Sequence, residues 1–125
     1  MVEIKLLEAA EIMELCARIG LPKQENLFVY SAKERGQILG SCGFTIDGEN
    51  GTLVFTHMEE DGLAPIEDGL LRSALSMMYE HGVHTTECSD RIPEKMLRPL
   101  GFNEQDGVYT LYLPKSFLTQ GCAAK

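Results

Sequence analysis

The spacing of apolar residues changes several times along the chain, and each change marks an element. "VEIKLL" at the N-terminus reads as a short strand. In the following "EAAEIMELCARIG" apolar positions recur every three or four residues, which puts Ala9, Ile12, Met13, Cys16 and Ile19 on one face of a helix stopping at Gly20. "LFVYSA" is β-prone and closed by the turn "KERG". "QILGSCGFTI" then alternates, with Ile38, Gly40, Cys42, Phe44 and Ile46 on one side of a pleated strand. "DGENG" holds two dipeptides, Asp47-Gly48 and Asn50-Gly51, suited to the positive φ angles of tight hairpins, and "TLVFTHME" follows as another strand.

From Ile66 the period lengthens again. Ile66, Leu70, Leu71, Ala74, Leu75, Met77 and Met78 form a helical stripe that stops near Gly82, with the methionines as core filler. "VHTTEC" is a short strand that, coming straight after a helix, is expected to run parallel to the strand before it. "SDRIPEKMLRPL" predicts a helix capped by Asp90 with Pro93 in its first turn, and "GVYTLYLP" a last strand carrying Tyr109 and Tyr112 on or near a shared face.

The succession is strand, helix, three antiparallel strands, helix, strand, helix, strand. It predicts an α+β, three-layer fold. A mixed, mostly antiparallel central sheet would carry helices on both faces, with its fourth and fifth strands parallel. No repeat or linker interrupts it, so residues 1–118 read as a single domain and 119–125 as a flexible tail.

Composition narrows the chemistry. With 125 residues, 44% of them hydrophobic, the chain can bury one core. No apolar run approaches the roughly 20 residues of a membrane span, and "MVEIKLLEAAEIMEL" lacks the basic head of a secretion signal, so a cytoplasmic location is expected. The net charge of -8 argues against nucleic acid or an anionic membrane as partner. Cys16, Cys42, Cys88 and Cys122 are scattered, as are His57, His81 and His84, which predicts reduced thiols and no metal site.

This order of elements, ending in helix, "LGF" (Leu100 to Phe102) and strand, resembles the GNAT superfamily of acyl-CoA-dependent N-acetyltransferases. The resemblance runs from Val2 to about Leu113, with one helix of the usual fold short or missing between Gly20 and Leu27. It implies acetyl-CoA as donor, a small amine as acceptor, and a fourth strand leading into a loop whose amides hold the coenzyme diphosphate. The residues it brings to the coenzyme are Met58, Gly62, Leu63, Ala64 and Gly69.

The loop itself departs from the family pattern (Gln/Arg)-x-x-Gly-x-(Gly/Ala). Gly62 stands at the first position, Pro65 at the first glycine and Glu67 at the second. Pro65 has no N–H to offer, and Glu67 with Asp68 puts acids where an anion would sit. Each carboxylate about 4 Å from a phosphate charge would cost about 4 kcal/mol at an effective dielectric of 20. Leu97 occupies the position where the family often has a proton-donating Tyr, and Asp90 the place of an Asn. Candidate bases are Glu59 and Glu60 at the end of the fourth strand, and His57 two residues earlier; Tyr109 is a candidate acid. Cys88 lacks a His partner and reads as a buried thiol. Two functions follow: a small N-acetyltransferase, or a GNAT-like domain that has lost the coenzyme and serves as a ligand-binding or protein-interaction module.

Overall fold

Two-residue turns fix the register of the first half of the molecule. Arg35 and Gly36 both have positive φ, 54° and 81°, the combination that lets a two-residue loop follow the right-handed twist of its strands. They join strands β2 (Leu27–Glu34) and β3 (Gln37–Asp47). Gly48, with φ 61°, turns β3 into β4 (Asn50–Met58), pairing Asp47 with Asn50. The expectation that Asn50-Gly51 also forms a turn is not met, because both residues lie inside β4. Gly51 is needed there for another reason: a Cβ would come within 2.8 Å of the Met78 sulfur.

The computed structural model describes residues 2–22, 24 and 26–113. Its other strands are β1 (Glu3–Leu6), β5 (Thr85–Cys88), β6 (Asn103–Gln105) and β7 (Val108–Tyr112), and all seven form one sheet in the order β1-β2-β3-β4-β5-β7-β6. Every neighbouring pair is antiparallel except β4 and β5, which run parallel as expected. Strand β6 is an addition to the predicted order. Its three residues, Asn103, Glu104 and Gln105, carry no apolar signal, and they pair with β7 only because Asp106 and Gly107 supply a tight turn with φ 53° and 82°.

Helices cover both faces. α1 (Ala9–Ile19) starts with Glu8 N–H donating to the Glu11 carboxylate at 3.1 Å and ends at Gly20, φ 75°, with Leu21 N–H reaching back to the Cys16 carbonyl. Its buried ridge is Leu15 and Cys16 with Ile12 and Ile19 beside them, packed on Val29, Val54 and Phe55. Ala9 and Met13, placed on that ridge by the sequence pattern, are exposed instead. α2 (Ala64–Glu80) buries Leu70, Leu71, Ala74, Leu75 and Met78 against Ala32, Cys42, Phe44 and Leu53 on the opposite face. Phe28 and Tyr30 stack on Phe44 there, with ring centroids 5.5 and 5.9 Å away. An extra residue in β3, Leu39, shifts the pairing with β2, so Leu39 rather than Ile38 joins this core.

The last helix is shorter than predicted. α3 spans only Glu94–Leu97 and tightens into a 3-10 turn over Arg98–Leu100, while Asp90 lies in the preceding turn and caps nothing. Tyr109 and Tyr112 do not share a face. Three positions apart on β7, they point to opposite sides, Tyr109 toward the α2 core and Tyr112 outward. Among the described residues no helix stands between α1 and β2, and a groove of about 660 Å3, lined in part by Met13, Ala17, Leu21 and Leu27, runs beside α1. The tail predicted for 119–125 lies outside the described residues.

Candidate functional site

The parallel strands part company halfway. β4 and β5 pair from Asn50 with Thr85 to Leu53 with Cys88, and there β5 ends while β4 continues to Met58. The divergence begins at a bulge. Phe44 pairs with Leu53 but Gly43 pairs with Phe55, leaving Val54 unpaired and putting Val54 and Phe55 together on the α1 face. Gly43 accommodates this, since a Cβ on it would lie 2.1 Å from the Phe55 ring. Ser89, just past β5, donates its N–H to the Leu53 carbonyl at 3.0 Å and its hydroxyl to the Val54 carbonyl, so it ties the two strands at the mouth of the gap. Beyond that point, Phe55 to Met58 have no strand partner on the β5 side among the described residues.

The loop Glu59 to Leu63 leads from this open edge into α2. Pro65, the second helical residue, has no N–H, and the Ile66 and Glu67 amides already donate to the Leu63 carbonyl at 3.0 and 2.9 Å. Backbone donors for an anion are therefore those of Gly62 (φ 86°), Leu63 and Ala64. No basic side chain stands in the loop.

The acids counted against an anion are turned elsewhere. Glu67 is buried, and its carboxylate accepts a 2.6 Å hydrogen bond from the Thr56 hydroxyl on β4. Asp68 accepts from Arg72 one turn along the helix at 2.8 Å. The expected clash of Glu67 and Asp68 with a diphosphate is thus not what the side chains present. Gly69 lies inside α2 facing Ile4 of β1, away from the loop, and Met58 packs over Gly40.

The other predicted residues scatter. Glu59 is clamped by Arg18 at the end of α1, with Nη2 donating to Oε2 at 2.8 Å and Nη1 to Oε1 at 3.3 Å. These bonds hold its carboxyl below the usual carboxylate range. His57 Nε2 lies 3.5 Å from the same Oε2. Glu60 is exposed. Tyr109 is bonded to Glu94 of α3, which pushes its phenol above the ordinary value, and it sits on β7 rather than on the open edge. Leu97 is buried in the core. Burial pushes the Cys88 thiol up to about 12, so it is no thiolate at neutral pH. Cys42 is raised further by the same cause. Arg18 and Ser89 were missed by sequence reasoning. Arg18 stands 41 residues from its partner, and nothing local to either residue announces the pair.

No family model and no curated protein matches the sequence. Solved structures do match the fold. The ribosomal-protein-S18-alanine N-acetyltransferase of Escherichia coli aligns over 90% of this chain and 94% of its own, with a TM-score of 0.74 at 16% identity. This chain has the GNAT fold. The IAA acetyltransferase of Bacillus cereus is similar over 88% of this chain and 97% of its own, with a TM-score of 0.68 at 14% identity. A GNAT acetyltransferase from Brucella melitensis, solved in complex with acetyl-CoA, covers 90% of this chain and 88% of its own at TM-score 0.65 and 14% identity.

Proposed function

We propose that the protein is an acetyl-CoA-dependent N-acetyltransferase acting on an amine. One observation carries this reading: the bulge at Val54 opens a backbone edge on β4 directly beside the start of α2. An unpaired strand edge binds extended, amide-bearing chains by adding them as a further strand. The pantetheine arm of coenzyme A is such a chain. A diphosphate at its end would meet the Gly62, Leu63 and Ala64 amides and the positive end of α2.

With Glu67 held on Thr56 and Asp68 on Arg72, the anion faces fewer unpaired carboxylates than the bare sequence suggests. Met58 would flank the arm. The chemistry asks little of side chains, because holding an amine against an activated thioester supplies much of the acceleration.

Calorimetric titration with acetyl-CoA tests the reading. Measurable heat is expected. At about 100 times the dissociation constant, the ligand should stabilise the fold by about 2.7 kcal/mol and raise the melting temperature by several degrees. Absence of heat and shift up to millimolar coenzyme would leave a GNAT fold without its coenzyme.

A further inference from the structure

We infer that two copies of this chain associate through β1, their strands antiparallel about a two-fold axis at Ile4, so that one sheet continues across the pair. β1 is an edge strand: it pairs with β2 on one side and, among the described residues, with nothing on the other. The Leu7 N–H donates to the Val29 carbonyl at 2.8 Å, and Leu7 continues the register in which Glu3 faces Lys33 and Lys5 faces Ser31. Bonds between antiparallel strands fall at every second residue. Glu3, Lys5 and Leu7 therefore bond inward to β2. The amides and carbonyls of Ile4 and Leu6, with those of Val2 before them, point away from the sheet.

The side chains match these free groups. Glu3 and Lys5 share the α1 face, with Lys5 Nζ 3.7 Å from Glu3 Oε1, and their side chains are 63% and 65% exposed. Lys33, opposite Glu3 on β2, is already paired with Glu11 of α1 at 3.3 Å. On the other face Ile4 packs against the α2 core, whereas Val2 and Leu6 to either side of it are exposed apolar residues. α2 leaves this edge clear, because the residue it places over Ile4 is Gly69.

Pairing through the outward groups sets even-numbered positions against even-numbered ones. With Ile4 opposite its counterpart, Val2 meets Leu6 of the second copy and Glu3 meets Lys5, and the same contacts repeat on the other side of the axis. The Ile4 pair and both pairs of Val2 with Leu6 exchange backbone bonds. Glu3 and Lys5 fall at the closer, non-bonded positions, where opposite charges attract. The four charges then alternate in sign both along and across the strands. A shift to either neighbouring register sets Lys5 against Lys5 or Glu3 against Glu3.

A lysine on a short edge strand commonly guards against pairing. Here Glu3 supplies the answering charge, and it does so in one register. Although the whole chain carries a net charge of -8, this strand carries one charge of each sign, so the approach of a second copy is not opposed at the edge itself. One short strand per copy makes a small interface, and the association is weak and concentration-dependent.

Analytical ultracentrifugation of the full chain from micromolar to millimolar concentration tests this. The native protein should dimerise as its concentration rises. E3K and K5E each turn two symmetric pairs from attraction to repulsion, and each should weaken association by about tenfold or more. Mixing E3K with K5E should restore a dimer containing one of each, since every cross-strand pair is again opposite in sign. For the same reason the double variant E3K/K5E should self-associate like the native chain. Both side chains are exposed, so the variants should keep the native circular dichroism spectrum. A native protein monomeric at millimolar concentration, a dimer untouched by E3K and K5E, or single variants that stay monomeric when mixed would each overturn the assignment.

Discussion

Glu59 shows how far one contact can redirect a residue. At the end of β4 the sequence offers it as a base, but Arg18 from α1 turns it into a fixed anion. Its folded pKa lies below the unfolded value, so the pair stabilises the fold above the ordinary carboxylate pKa of about 4.3, and that stability is lost as pH falls through the lowered folded value. R18M should therefore melt below the native protein at neutral pH, and the two melting curves should converge as the solution is acidified below about 4. Because both side chains are partly exposed, the gap will be modest. Parallel melting curves down to acid pH would mean the pair contributes nothing. Glu67 was equally misleading. Its sequence position suggests an outward acid at a helix start, and only the Thr56 hydroxyl, supplied by a strand residue whose facing the bulge decides, draws it inside.

At the scale of elements, that Thr56 to Glu67 bond is the side-chain link between β4 and the first turn of α2. Replacing Thr56 by Val keeps the shape but leaves a buried carboxylate short of a donor, so T56V should lose about 1–3 kcal/mol in urea unfolding. A loss within error would show that solvent reaches Glu67. The long elements were legible because their periodicity is strong: the α2 stripe from Leu70 to Met78 is buried as read, and the Cys42, Phe44 alternation of β3 holds. The failures have particular causes. β6 is polar throughout and exists by its turn and its partner. On α1, with no helix following before β2 among the described residues, Ala9 and Met13 are uncovered, so apolar character and burial no longer coincide. α3 shrank because Pro93 precedes it and Pro99 follows closely.

For the whole molecule, the two apolar cores share a single sheet as their common floor, with Val29 and Phe55 on one side and Phe44 and Leu53 on the other. Neither can melt without disturbing strands the other needs. Tyrosine fluorescence, to which Tyr30 beneath α2 contributes together with Tyr79, Tyr109 and Tyr112, and far-UV circular dichroism should therefore trace coincident urea transitions. Separated midpoints would mean the halves unfold independently. The order of strands and helices was readable along the chain, whereas the site was not, since it depends on Val54 standing outside the pairing and on Arg18 reaching across the sheet. That unpaired residue also sets a rule of parity. Every side chain after it in β4 points to the side it does because one residue is left uncounted. The stretch from Thr56 to Met58 can therefore absorb changes of residue type, but pairing Val54 with Gly43 in a regular ladder would exchange its two faces, sending His57 toward α2 and Thr56 away from Glu67 while every residue there kept its identity.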